Sequence, residues 1–458
     1  MSGGGEIAAK RGKLSPSGAG AGDEDRLSAL PDDVLVLILL GLGSTAGAVR
    51  TSVLSRRWRH LWAFLPDLRF YNAPDGHRIR KVLLVPDPPP PLHWISVTAE
   101  DSSLDSLGAW FLEAARRLSG YLICDNIVPR MDEEAEEEGQ ARERGAVQLP
   151  CFENAAGIYL KLGFLGLALP FSGTFARLIQ LRLHRVRFHD PWLRQLTVVA
   201  PALKGLKLFG CFTENQPIAD ISTPQLVSLE WMDSYDPSSV QLGNLGQLQR
   251  LTTDFFLVYW EHGSRENHGI LKLLQQFRFI HILNITLAYL QHIDIFPCSM
   301  EDITMLPHTT FLIMDIMNNG HGFGPSSFHM LRVCTDIRRL SLNTLRGLES
   351  SCQSGCNSEQ PTNWKTEELL LNRLEEVKIT SLKGADHEVV FLERLFSWAT
   401  VLKKMKITFD DSVSKRQARE FLQTLASFSR PETVVEFYMY HDGDKKSKYL
   451  LTPEDKEL

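Results

Sequence analysis

Two segments of one stretch decide the fold: Arg26-Leu-Ser-Ala-Leu-Pro-Asp-Asp-Val-Leu35 and, twenty residues on, Ser55-Arg-Arg-Trp-Arg-His-Leu-Trp-Ala-Phe-Leu65. From Val34 to Leu40 every residue is apolar. Pro31 at a first helical position, with Asp32 and Asp33 in the first turn, suits a helix N-terminus, where free N–H groups and the helix dipole favour that chemistry. Gly41 and Gly43 cannot cheaply continue the helix, so it must stop there. A helix with apolar side chains all round has to be buried on every side, and a unit this small cannot cover it alone. A partner surface is implied.

Downstream, Leu54, Trp58, Leu61, Trp62 and Leu65 recur at the spacing of one helical face, with Arg56, Arg57, Arg59 and His60 on the other. Ala46, Val49 and Val53 predict a short middle helix, making three small helices in all. Leu30-Pro-Asp-Asp-Val-Leu35 together with Val49-Arg-Thr-Ser-Val-Leu-Ser-Arg-Arg-Trp-Arg-His-Leu-Trp62 resembles the plant F-box. That resemblance implies a three-helix unit over residues 25–68. It would dock on the Skp-type adaptor of an SCF (Skp, cullin, F-box) ubiquitin ligase, and through it on the cullin. The family's Leu-Pro start and the apolar helix after it assign Leu30, Pro31, Leu35, Ile38, Leu39 and Leu42 to the adaptor contact. A membrane anchor is excluded, because crossing a bilayer takes roughly 20 apolar residues.

The chain has 458 residues, 43% of them hydrophobic and 23% charged, a globular mixture longer than one ordinary domain. A net charge of -6 and a pI near 6.2 argue against nucleic acid as a partner, since duplex binding needs clustered Lys and Arg. Seven widely spread cysteines point to reduced thiols and hence to the nucleus or cytoplasm. Residues 1–24 are rich in Gly, Ala and Ser with no apolar stretch; they read as a disordered tail without a signal peptide. Lys10-Arg-Gly-Lys13 is a small basic cluster within that solvated tail.

After a proline-rich linker at 69–91, a spacing L-x-x-L-x-L returns again and again. Its copies are centred on Ile95, Leu181, Leu206, Leu229, Leu251, Ile285, Leu340, Val377 and Met405, with Leu312 a weaker member. The steps from Leu181 onward run from twenty-two to thirty-seven residues, so some repeats carry insertions, near 254–280 and 343–373. Each copy predicts one short strand that cannot bury itself, so stacking is obligatory. Helices are predicted between strands, over residues 107–118 and 270–277. The fold class is therefore α/β: the short helical unit, then an irregular leucine-rich-repeat solenoid, a horseshoe of parallel strands.

The repeats are expected over 92–363, interrupted by an acidic disordered loop at 131–145. Trp364, Leu374-Glu-Glu-Val-Lys-Ile379, Gly384, Leu392-Glu-Arg-Leu395 and Ala399-Thr-Val-Leu-Lys-Lys-Met-Lys-Ile407 resemble the FBD region of plant F-box proteins. It is placed at 364–440, as strand, helix, strand and helix closing the solenoid, with a charged tail at 441–458.

Catalytic patterns are missing. There is no Gly-Lys-Ser/Thr phosphate loop and no Gly-x-Ser-x-Gly, and His387-Glu388 meets Phe391 where a zinc protease needs its second His. Cys352 and Cys356 supply at most two zinc ligands, with His329 and Cys334 near in sequence only. The chain is thus expected to be a non-enzymatic interaction protein with no cofactor or metal, no nucleic acid and no membrane partner. Its repeats would bind a protein client of unknown identity for ubiquitination. The alternative is a small-molecule receptor with a ligand pocket in the solenoid, which calls for convergent Arg or Lys on the concave face. Alternation along the strands puts Arg182, Lys207, Phe209 and Met232 on that face as client contacts.

Overall fold

The computed structural model describes residues 30–73, 75–84, 91–128, 146–169, 175–188, 196–212, 217–261, 265–291, 293, 296–345, 358, 360, 362–441 and 445–449. Residues 1–24, the acidic segment 131–145, and Cys352 and Cys356 lie outside them. The chain divides into two compact units, one ending at Leu65 and the other beginning at Pro66.

The first unit contains α1 (Asp32–Gly41), α2 (Thr45–Arg50) and α3 (Trp58–Leu61), with 3-10 turns at Thr51–Val53 and Trp62–Phe64. After α1, Gly43 takes a φ of 69°, a left-handed conformation that glycine adopts without steric cost. Ser44 then accepts the Gly47 N–H at 3.0 Å and starts α2. Arg57 donates from Nε to Asp32 at 2.7 Å, tying the entry of α3 to the first turn of α1. Leu35, Leu39, Ala48, Trp58, Leu61 and Leu65 form the core. The long helical face expected from Leu54 to Leu65 is broken. The Ser55 hydroxyl accepts the Trp58 N–H at 3.4 Å and starts a fresh turn, which leaves Leu54 outside the helix and exposed.

The second unit is built on β1 (Asp67–Phe70), β2 (Leu92–Glu100), β3 (Leu118–Ile127), β4 (Ala146–Gln148), β5 (Gly157–Ala168), β6 (Gln180–Phe188) and β7 (Leu196–Val199). It continues through β8 (Gly205–Phe209), β9 (Ala219–Ser222), β10 (Ser228–Met232), β11 (Val240–Gln241), β12 (Arg250–Leu257) and β13 (Phe279–Ala288). Last come β14 (His308–Met317), β15 (Arg339–Thr344), β16 (Glu376–Leu382), β17 (Lys404–Phe409), β18 (Val434–His441) and β19 (Lys445–Tyr449). All but β7, β9 and β11 join one sixteen-stranded sheet in chain order, with β4 beside β5. Every pairing in it is parallel except β18 with β19. One row of apolar side chains runs through it: Leu181, Leu206, Leu229, Leu251, Leu283, Leu312, Leu340, Val377 and Met405. Leu283 stands there instead of the expected Ile285. A two-residue slip keeps the same face of the strand, so both are buried and spacing alone does not separate them.

Among the described connections between strands are helices α4 (Gly76–Leu84), α5 (Leu104–Arg117), α6 (Arg265–Gln275), α7 (Gly324–Val333), α8 (Asp386–Trp398) and α9 (Lys415–Phe428). In α5, Ser103 accepts the Ser106 N–H at 3.2 Å, and Leu107, Trp110, Phe111 and Ala114 face the core. Ser414 and Gln417 cap the start of α9 reciprocally. Three expectations are corrected here. Residues 69–91 are not simply a linker, because they hold part of β1 and all of α4, which packs on α5; Ile79 and Leu83 give α4 the apolar spacing that burial needs. And a helix does not follow every strand. Between β6 and β12 the return elements are β7, β9 and β11, a separate parallel sheet. The steps here are short, 25, 23 and 22 residues between strand centres, and Leu196-Thr-Val-Val199 favours strand over helix. The tail expected from 441 onward contains the closing antiparallel strand β19.

Glu388, beside the absent protease motif, is a structural cap. Its Oε2 accepts the N–H groups of Lys383, Gly384 and Ala385 at 3.0, 2.7 and 3.0 Å. Burial nevertheless pushes its carboxyl up to about 7. The folded chain therefore keeps a proton that the unfolded chain gives up near its ordinary carboxylate value, so stability held in acid is lost as pH rises through the folded pKa. The loss amounts to roughly 3 kcal/mol. Glu388→Gln should flatten the fall in the urea midpoint between pH 5 and pH 8; an unchanged slope would show that this carboxyl ionises normally.

Candidate binding surfaces

On α1 the assigned adaptor residues divide by their position on the helix. Leu35 is 0% exposed and Leu39 is 1% exposed; both point into the unit's own core. Ile38 at 40% and Leu42 at 49% face outward, Pro31 is exposed, and Leu30 is half-buried. Leu37 is exposed as well, at 64%, and so are Val53, Leu54 and Phe64 elsewhere in the unit. None of the four was assigned to the adaptor contact from sequence: Val53 and Leu54 were read as packing residues of short helices, and a run with no polar residues gives Leu37 no phase. What the geometry adds is exposure: among the described residues these apolar side chains lie open while Leu35 and Leu39 are buried.

In the second unit one face of the sheet carries Arg182, Lys207, Phe209 and Met232. Leu181, Leu183, Leu206, Leu208, Leu229 and Trp231 between them are buried on the other face. Register brings Arg182 beside Lys207, and His184, Phe209 and Met232 into one row across β6, β8 and β10. Lys207 is held by Glu230 in an ion pair, whereas the Arg182 guanidinium lies over the Tyr159 ring, 4.9 Å from its centre. His184 meets Phe209 edge-on at 4.5 Å. Burial, then the nearby Arg185 and Lys161, lower its pKa, so it stays neutral at pH 7.

Toward β2 the same face continues as aromatic side chains, Trp94 to Tyr121 at 5.7 Å and Tyr121 to Tyr159 at 6.0 Å. Gly157 makes this possible: a Cβ there would stand 2.3 Å from the Tyr121 ring. Tyr121 and Tyr159 were missed from sequence because β3 and β5 were not recognised as repeats, whereas Trp94 stands on the recognised β2 and was not singled out. Near the other end, the Lys404 and Lys406 ammonium groups both approach Glu436, at 3.3 and 3.9 Å.

Two open grooves lie away from these rows, at the ends of β13 to β16. One of about 890 Å³ is lined by Leu274, His329 and Cys334, and one of about 760 Å³ by His281, Arg338 and Arg373. His329 and Cys334 do not form half of a metal site. His329 Nε2 is bonded to the Ile303 carbonyl at 2.9 Å, and burial pushes the Cys334 thiol up to about 12. Among the described residues no three His, Cys, Asp or Glu side chains gather as a ligand set, and no helix is long and apolar enough to cross a membrane.

No family model matches the chain. Among curated proteins it is similar to an F-box/LRR-repeat protein of Arabidopsis thaliana, 28% identical over 224 residues, 45% of this chain and 42% of that one. It is also similar to two F-box/FBD/LRR-repeat proteins of the same plant. One is 56% identical over 48 residues, 10% of each chain; the other is 52% identical over 59 residues, 13% of this chain and 12% of that one. The chain thus spans less than half the length of each of these relatives. With a three-helix unit first and a parallel-strand solenoid after it, the chain is thus similar to plant F-box/leucine-rich-repeat proteins, two of which also carry an FBD region in their description.

Proposed function

We propose that the chain is the substrate-recognition subunit of an SCF-type ubiquitin ligase, without catalysis of its own. The helical unit would bind a Skp-type adaptor, and through it cullin, while the open sheet face binds a protein client. The observation that carries this is the outward apolar side of α1, Leu37, Ile38 and Leu42, on a unit whose core is already complete with Leu35 and Leu39. Such a scaffold works by proximity. Holding client lysines near a charged ubiquitin-conjugating enzyme raises their effective concentration, so this chain needs no reactive residue. Nucleus or cytoplasm is the setting such a ligase requires.

Client binding is assigned to Arg182, Phe209 and Met232, with Lys207 supporting them through its Glu230 pair. Exposed Arg, aromatic and Met side chains are the usual anchors of a protein interface. Affinity purification of the full chain, beside a chain lacking residues 26–65, tests the division of labour: the deletion should lose the adaptor and keep the clients. Conversely, an Arg182→Glu, Phe209→Ala, Met232→Ala chain should keep the adaptor while client recovery falls about tenfold or more. Full recovery of every client from that triple variant would place the site elsewhere.

A further inference from the structure

A second row on the same face has a composition of its own. Register aligns Arg250 of β12, Ile282 of β13, Phe311 of β14 and Arg339 of β15 across four adjacent strands. Their neighbours Leu251, Leu283, Leu312 and Leu340 are buried, which puts the four on the open side. Both arginines are exposed, and neither is in an ion pair among the described residues. Ile282 and Phe311 between them are half-buried, with the Arg339 guanidinium 4.6 Å from the centre of the Phe311 ring. Acids nearby are engaged or lie beyond the row. Glu230 holds Lys207, and Asp315 accepts the Asn343 amide at 2.7 Å; Glu376 stands exposed on β16, next past Arg339.

Distances turn this composition into a pattern. Strands about 4.8 Å apart put Arg250 and Arg339 roughly 14 Å apart. An extended peptide rises about 3.4 Å per residue and turns every second side chain to the same side, so residues four apart stand about 14 Å apart with one side chain midway. Resting on the assignment of this sheet face to client binding, we propose that the row docks an extended client segment of pattern acid-x-apolar-x-acid. Arg250 and Arg339 each take a carboxylate, and Ile282 and Phe311 receive the apolar side chain between them. Guanidinium forks suit carboxylates bidentately, and the apolar floor between them shields both pairs from water. The Glu376 carboxylate repels an acidic chain that runs further, so it fixes the end of the segment.

The test uses the full chain and three fluorescent decapeptides read by anisotropy: glutamates four apart around a leucine, the same with glutamates two apart, and the first with lysines for glutamates. The first should bind at least tenfold more tightly than the other two. In an Arg250→Glu, Arg339→Glu chain the order should invert, the lysine peptide now binding best, a result that misfolding would not produce. Equal binding of the three peptides, or a double variant that keeps its preference for glutamates, overturns the proposal. An adaptor pull-down on the same preparations separates the two ideas. Adaptor capture with no peptide preference sinks the row alone, and peptide preference without adaptor capture sinks the ligase assignment while the row stands.

Discussion

A chain carrying Ile38→Asp and Leu42→Asp is expected to fold as its parent does and to lose a Skp-type adaptor almost completely. Both side chains already face outward, at 40% and 49% exposure, so a carboxylate there stays in water and costs the free unit little. In a complex the same carboxylates would be stripped of water without a partner. Losing one buried apolar anchor costs on the order of 2 kcal/mol, so two should weaken binding by roughly two to three orders of magnitude. Leu30→Ala with Pro31→Ala is the milder version, since it also loosens the entry to α1. Leu35→Ala is the control of opposite kind. That residue is fully buried in the unit, and its truncation costs about 2–5 kcal/mol of folding, so it would lose the adaptor only by melting the helices. Circular dichroism beside a pull-down tells the two apart. Undiminished capture by the aspartate chain would mean that the adaptor uses another face.

Much of this could be foreseen from residues alone, and the failures have physical causes. Strands with a leucine or isoleucine at each motif position were found. Strand β18, whose Val435 continues the row past Met405, was passed over, and so were β3 with Ser119, Leu122 and Cys124 at the motif positions and β5 with Ala155, Ile158 and Leu160. Small or weakly apolar residues stand where leucine was sought, yet Cys124, Ala155 and Ile158 are buried all the same, because stacking supplies their neighbours. Leu65, Leu68 and Phe70 repeat the spacing as well. Leu68 pairs with Ile95 in register, which places it in the first strand of the sheet and not in the helical unit. On α1 the opposite problem arose: from Val34 to Leu40 every position is apolar, so burial could be inferred but not direction. For the open face, alternation from the buried leucines was enough to select Arg182, Phe209 and Met232. It could not show that Glu230 would engage Lys207, which depends on two side chains meeting across strands.

The strand phase itself makes the largest prediction about stability, at two adjacent residues of β10. Trp231 is fully buried; its indole N–H donates to the Ser234 carbonyl at 3.0 Å, its ring stacks on Phe212 at 5.6 Å, and Tyr235 meets it edge-on at 5.8 Å. Trp231→Ala removes this packing and should cost about 3–5 kcal/mol. Trp231→Phe keeps most of the ring contact but not the hydrogen bond, and should cost less. Met232, one residue on, points to the open side, and Met232→Ala should change stability by about 0.5 kcal/mol or less. In a solenoid each repeat leans on its neighbours, so the tryptophan change should raise amide hydrogen exchange in β8, β10 and β12 well before β16 and β17 are affected. Equal destabilisation by the two alanine changes would put both side chains in the core and reverse the face on which every client residue has been placed. Exchange rising uniformly from β2 to β17 would mean that the sheet melts as one cooperative block, and that the repeats do not carry their stability locally.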